Sequence, residues 1–229
     1  MKRFYKQAAA GEHEGGLAVL LDGRPVRTPK RTLLHLPTPA LAAALAEEWQ
    51  AQGDEIEPAA MPLTQLASTA LDRVAPQIGA VAAEIAKFAE TDLLCYRADQ
   101  PDSLVQAQHA AWAPLLAWAD EALGARLVVT QGINPIPQPA EAIARIQAAV
   151  AGYDAFPLAA LSVATAVTGS VVIALALAQG RISGDQAADA AQVDEAHQME
   201  RWGHDPEAEA RLERLRAELR AAERFLALL

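Results

Sequence analysis

At 229 residues the chain is long enough for one large domain or two unequal ones, and its 52% hydrophobic content, much of it alanine and only 5% aromatic, favours close-packed helices over a β-sandwich. The net charge of −10 is unevenly spread: residues 1–32 hold seven basic residues against three acidic ones, so that stretch carries +4 and the remainder −14. An acidic body argues against nucleic acid as the main partner, since phosphate binding needs clustered Lys and Arg, and one cysteine excludes an intrachain disulfide or a cysteine-based metal site.

The first 37 residues read as strands. Leu17-Ala-Val-Leu-Leu21 is an apolar run, Asp22-Gly23 is a turn pair, and Arg24-Pro-Val-Arg-Thr-Pro29 resumes in extended form. Asp-Gly between two such runs predicts a hairpin. Thr32-Leu-Leu-His-Leu36 is a candidate third strand, and Pro25, Pro29 and Pro37 confine these strands to the edges or ends of a sheet. From Thr38 the period becomes helical. Thr38-Pro39 is an N-cap followed by proline at the first helical position, opening a helix that runs to about Gln52 and stops at Gly53.

Further helical stretches are predicted over 63–74, 76–96 and 101–123, the last ending at Gly124. Cys95 falls in the apolar run Asp92-Leu-Leu-Cys-Tyr96, where a buried, inert thiol is expected. Asn134-Pro-Ile-Pro-Gln-Pro139 is a rigid connector into a helix through Val150. The span 155–180 has no charged residue and is long enough to cross a bilayer. It is also interrupted by Pro157, Gly169 and several hydroxyl residues, and it lacks an aromatic belt or a basic flank. A central helix buried all round by other helices is therefore expected, with no stable membrane insertion.

Ser183-Gly-Asp-Gln186 has the form of a capping box. Asp205-Pro206 opens an exposed helix to about Leu226, with Glu and Arg at i,i+4 spacing and a narrow apolar stripe of Leu212, Leu215, Leu219, Ala222 and Leu226. The expected fold class is α+β: a small amino-terminal antiparallel β domain with one helix (residues 1–60), then a larger all-α helical domain (residues 61–229). The segment Met1-Lys-Arg-Phe-Tyr-Lys6 has neither the apolar stretch of a signal peptide nor the length of a transit peptide, so a cytoplasmic, bacterial protein is expected.

Catalytic motifs are sparse. Phosphate-loop and dinucleotide patterns are absent. Thr168-Gly-Ser170 shares only part of the nucleophile-elbow pattern, and small residues at a tight helix crossing account for it. His197 and His204 stand seven apart near Glu195 and Glu200, which is not the i,i+4 spacing of helical metal pairs. No metal or cofactor is expected.

The richest stretch is Asp194-Glu-Ala-His-Gln-Met-Glu-Arg-Trp-Gly-His-Asp205, where one helix ends, Gly203 turns and the next helix begins. Glu195, Gln198 and Trp202 lie at i, i+3 and i+7 on one face, with Asp194 beside Gln198 at i,i+4. Two explanations stand: Trp202 is core and Glu195 is solvated or ion-paired, or the face is a recognition patch built on an aromatic anchor with charged neighbours. A further alternative is a metal- or carboxylate-dependent enzyme in which Glu195, His197 and Asp205 converge in a cleft.

Taken in order, Lys2-Arg-Phe-Tyr-Lys6, Leu21-Asp-Gly-Arg-Pro-Val-Arg-Thr-Pro29, Glu48-Trp-Gln-Ala-Gln-Gly53, Met61-Pro-Leu-Thr64 with Leu71-Asp72, Thr91-Asp-Leu-Leu-Cys-Tyr96, Trp112-Ala-Pro-Leu-Leu116 and the block from Asp194 to Asp205 form a set that covers nearly the whole chain. In this ordered set the chain resembles the assembly chaperones of the F-type ATP synthase that bind its free alpha subunit, the Atp-twelve family. The resemblance implies a small β domain joined to a helical domain, no catalysis and no nucleotide. It implies a functionally sensitive acid at Glu195, with Glu200 a second candidate, in a client-binding group that takes in Gln198, Trp202 and Asp205. His204 departs from the family pattern, which has an acidic or small residue there. A free chaperone of this kind is expected to be a monomer, and Met61 with the Asp22-Gly23 hairpin is a candidate second contact surface.

Overall fold

The computed structural model describes every residue except 133 and 204, with the backbone but not the side chain of Trp202. The chain divides into two compact units. One comprises Met1–Ile78, Asp154–Ala160 and Arg224–Leu229, the other Gly79–Tyr153 and Leu161–Glu223.

In the first unit, β1 (Ala8–His13), β2 (Gly16–Leu21) and β3 (Arg24–Pro25) form an antiparallel sheet in that order. The Asp22–Gly23 turn between β2 and β3 has positive φ at both residues, 46° and 81°, as a hairpin turn matched to strand twist requires. The Asp22 carboxylate also accepts the amides of Gln7 at 2.9 Å and Lys6 at 3.0 Å, and these bonds hold its pKa below the ordinary value. Strand β1 was invisible in the sequence because Ala8-Ala-Ala-Gly-Glu-His13 contains no β-branched or aromatic residue; its ladder to β2 enforces it, with Ala8 opposite Leu21. The expected third strand at 32–36 is reduced to isolated bridges, Arg27 to Leu33 and Leu17 to Leu36. Pro25 and Pro29 remove ladder donors there, and Arg31 at φ 68° turns the chain.

Helix α1 (Pro39–Gln50) starts as predicted, with the Thr38 hydroxyl accepting the Leu41 amide at 3.1 Å. It lays Leu41, Ala42 and Leu45, all fully buried, against β1 and β2. Helix α2 (Pro62–Thr69) has no side-chain cap of its own. Glu48 of α1 supplies one: its carboxylate accepts the amides of Leu63 and Thr64 and the Thr64 hydroxyl, each at 2.8 Å. A π-helical turn, Ala70–Val74, follows α2. In it Asp72 is buried, bonded to the Thr28 hydroxyl at 2.7 Å and the Lys30 amide at 2.9 Å.

The second unit contains most of α3 (Ile78–Ala86), then α4 (Asp102–Leu123) and α5 (Ala140–Ala151), with two short parallel strands, β4 (Tyr96–Arg97) and β5 (Thr130–Gln131). The helix expected over 76–96 is broken after Glu90, because Asp92 turns inward and its carboxylate accepts the amides of Leu94 at 3.1 Å and Val172 at 3.2 Å. The charge-free run 155–180 is two helices rather than one, α6 (Ala155–Thr168) and α7 (Val171–Ala178). Gly169 at φ 69° breaks them, and the Ser170 hydroxyl caps α7 by accepting the Ile173 amide at 3.0 Å. Every residue from Val171 to Leu177 is buried, packed by α4 and α8 (Gly184–Ala191). Among the described residues no helix is long and apolar enough to cross a membrane. The expected capping box at Ser183 is present in both halves. Two helices complete the chain, α9 (Val193–Trp202) and α10 (Pro206–Ala227). In the α10 stripe Leu219, Ala222 and Phe225 are fully buried, so Phe225 takes the place expected of Leu226.

Burial decides the chemistry of two groups near β4. The Cys95 thiol is pushed up to about 12, first by burial and then by the neighbouring Asp92 charge, and is inert at neutral pH. Asp92 is raised from 3.8 to about 6 by burial, which outweighs its hydrogen bonds from Ser170 and the amides of Leu94, Val172 and Val171. The folded state therefore binds the proton more tightly than the unfolded chain. The contribution of Asp92 to stability is fully present below about pH 4 and is lost as pH rises towards about 6, roughly 3 kcal/mol in all. Denaturant titrations of the wild type and Asp92→Asn across pH 4 to 7 test this. The wild type should lose stability relative to the variant through that window, with a constant difference above it.

Candidate functional site

Helix α9 is held on two sides within the second unit. Towards α4, Asp194 accepts the Gln108 side-chain amide at 2.6 Å, and the His197 Nε2 and the Ser103 hydroxyl share a hydrogen bond of 2.8 Å. Just before α9, the Trp112 indole of α4 donates to the Ala190 carbonyl at 2.6 Å. Towards α10, Gln192 donates to the Leu212 carbonyl at 3.1 Å and Glu195 pairs with Arg211 at 3.7 Å.

Helices α8 and α10 meet at Gly184, where a Cβ would stand 2.8 Å from backbone atoms of Leu219 and Arg220, so only glycine fits without a shift. Beside that contact, Arg216 pairs with Asp189 at 2.6 Å and Asp185 at 3.3 Å, and Arg220 pairs with Asp185 at 2.7 Å. The Arg220 bond, reinforced by Arg216, holds the Asp185 carboxyl below its ordinary pKa. The Asp189 partner raises that of Arg216. These pairs fix α10 along α8 and thereby set the edge on which the α9–α10 turn sits.

The result is an open cavity of about 860 Å³ lined by residues of α4, α8, α9 and α10. Ala107, Val193, Met199 and Leu212 give it apolar walls, while Asp189, Glu200, Glu213 and Arg216 bring charge. That combination of modest apolar area and fixed charge suits reversible protein recognition better than enclosure of a small substrate.

The sequence-derived residues fall as follows. Glu195 is at the surface, its side chain 40% exposed. Gln198 and Glu200 are exposed, Glu200 lines the cavity, and among the described residues it has no ion-pair partner. Asp205 caps α10, its carboxylate accepting the Glu207 amide at 3.0 Å. The Trp202 side chain and His204 lie outside the described residues. Asp194 is tied to α4 rather than displayed beside Gln198.

The residues of the enzyme alternative each have a separate partner: Glu195 meets Arg211, His197 meets Ser103, and Asp205 caps a helix. Among the described residues no group of three His, Cys, Asp or Glu side chains is placed to hold a metal ion. Met61 is 3% exposed and belongs to the core, which removes it from the expected second contact surface. Sequence reasoning missed Asp189 and Arg216. Their signal was present, acids at 185 and 189 and arginines at 216 and 220, but spacing alone does not say that the two ladders face each other.

A family model described as ATP12 chaperone protein matches residues 2–120. The crystal structure of Atp12 from Paracoccus denitrificans is 47% identical, covers 99% of this chain and 97% of its own, and superposes with a TM-score of 0.94. The Atu1473 protein of Agrobacterium tumefaciens is 41% identical over 99% of this chain and 85% of its own, with a TM-score of 0.93. The mitochondrial protein atp12 of Schizosaccharomyces pombe is 23% identical over 214 residues, 88% of this chain and 74% of the relative. The chain belongs to the ATP12 chaperone family, the chaperones of ATP synthase assembly, as the ordered motifs implied.

Proposed function

We propose that this chain binds the free alpha subunit of the catalytic sector of F-type ATP synthase in the bacterial cytoplasm. It keeps that subunit from aggregating until the beta subunit arrives, and it acts by binding alone. Family membership carries the reading. The acidic edge of α9 and the α9–α10 turn supports it, because Glu195, Gln198 and Glu200 reach the surface together beside a cavity with apolar walls. An alpha subunit without its partner exposes an interface prone to aggregate. A cover that must later be released is better made of a few anchors with charged surroundings than of a broad apolar face. In this reading Glu195, Glu200, Gln198, Trp202 and Asp205 form the client-contacting group, with Arg211 holding Glu195 until a client cation replaces it.

The test is a pull-down from a bacterial lysate with this protein as bait. Enrichment of alpha over beta is expected. Equal recovery of both, or of neither, overturns the assignment.

A further inference from the structure

In the first unit, the stretch before β1 lies antiparallel to residues 54–56. The Arg3 amide donates to the Asp54 carbonyl at 2.8 Å and the Ile56 amide to the Met1 carbonyl at 2.7 Å, with Lys2 opposite Glu55. Bonding direction alternates along an extended chain, so residues 1 and 3 spend their backbone groups on that contact while those of Lys2 and Phe4 point to the other edge. Nothing meets them there. Among the described residues neither the N–H nor the C=O of Lys2 or Phe4 makes a hydrogen bond. The open edge ends at Lys6, whose amide donates to the Asp22 carboxylate at 3.0 Å.

The inward side chains hold this edge in place. Arg3 donates to the Gln50 and Gln52 carbonyls, and Tyr5 is buried with its hydroxyl on the Trp49 carbonyl. The alternate side chains, Lys2, Phe4 and Lys6, are exposed. Phe4 is 66% exposed, its ring set edge-on to Tyr5 with centroids 5.4 Å apart. Lysines on an open edge discourage pairing between like edges, but they do not account for an aromatic ring displayed between them. Neither lysine forms an ion pair among the described residues. Two copies of this edge paired antiparallel about Phe4 would set Lys2 against Lys6, like charge against like, so a second copy of the chain is a poor occupant.

We infer that the Lys2–Phe4 edge is a strand-addition site. It takes an extended segment of another protein, antiparallel, with an apolar residue against Phe4 and acids against Lys2 and Lys6. Free N–H and C=O groups on alternate residues are met by an extended polypeptide, whose main chain gives the affinity and whose alternate side chains give the choice of sequence. The charge follows from the two unpaired lysines, and Lys2 already has an acid, Glu55, across its inner side. The site depends neither on the α9 edge nor on which ATP synthase subunit is the client.

The test is a fluorescence-polarisation titration of the whole chain with labelled Glu-Thr-Val-Thr-Glu peptide. Pairing Val with Phe4 points the Val amide at the Phe4 carbonyl and turns the Thr amides away. N-methylation of Val should therefore weaken binding about ten-fold, while N-methylation of the second Thr leaves it nearly unchanged. The Lys-Thr-Val-Thr-Lys peptide should also bind about ten-fold more weakly, as should the Glu peptide to Phe4→Ala. The two N-methyl peptides need no variant protein, so they decide the matter even if Phe4→Ala fails to fold. Absence of binding by the Glu peptide, equal losses from the two N-methyl groups, equal binding of the Glu and Lys peptides, or full binding to a folded Phe4→Ala would overturn the proposal. So would sedimentation showing a dimer that Phe4→Ala dissolves, since that would give the edge to a second copy.

Discussion

Replacing Glu48 by alanine is expected to destabilise the protein by about 2–3 kcal/mol, the loss of a helix cap together with two half-buried amides left without an acceptor. The cause lies in the start of α2. Its first residue is a proline, its N-cap is Met61, and neither offers an oxygen to the amides of Leu63 and Thr64. Glu48 provides both oxygens at 2.8 Å, and its negative charge sits at the positive end of the helix dipole. The same residue's carbonyl accepts from Gln52, whose own side-chain oxygen takes the Glu57 amide at 2.7 Å, so the turn between α1 and α2 is tied from the same place. Glutamine at 48 can serve one amide but presents an NH₂ group to the other donor, and should cost about 1 kcal/mol. Thermal melts check both variants. For a chain of this size the alanine change corresponds to a fall in Tm of roughly 5–10 °C, and a fall below about 2 °C would show that α2 finds its cap elsewhere.

That contact also shows what the sequence could and could not disclose. Glu48-Trp-Gln-Ala-Gln-Gly53 and Met61-Pro-Leu-Thr64 stood out as separate motifs, yet they are two halves of one clasp. Lys2-Arg-Phe-Tyr-Lys6 joins them: the Arg3 guanidinium donates to the carbonyl of Gln50 at 3.2 Å and to that of Gln52, and the Tyr5 hydroxyl donates to the Trp49 carbonyl at 2.6 Å. Local signals such as the Thr38 cap, the Asp22-Gly23 turn and the Ser183 capping box were legible because neighbouring residues supply all their chemistry. Strand β1, the break at Asp92 and the division of 155–180 were not, because each is settled by a partner distant in the chain or by one backbone torsion. The acidic edge was legible as a face, through the spacing of Glu195 and Gln198, but not as a setting. Arg211, Ser103 and Gln108 come from other helices, and they decide which acids of α9 are displayed and which are tied.

Charge reversal at Glu195 should separate function from fold. Glu195→Lys places a cation beside Arg211, but both side chains are well exposed, at 40% and 64%, and their 3.7 Å pair is screened by water. Exposed pairs of this kind are worth about 0–1 kcal/mol, so the melting temperature of the isolated chaperone should move by no more than about 2–3 °C. Binding is another matter. At a protein interface, turning an attractive charge contact into a repulsive one costs about 2–5 kcal/mol, a loss of thirty-fold or more in affinity. Light scattering of an aggregating alpha subunit, with chaperone added in equal amount, should show full suppression by the wild type and almost none by Glu195→Lys. Glu195→Gln, which removes the charge without reversing it, should fall between. Arg211→Ala supplies the opposite control: it removes the internal partner of Glu195 and should leave protection intact or improve it. Unfolding of the Lys variant would make Glu195 a structural residue, and unimpaired protection by a folded Lys variant would move the client contact away from α9.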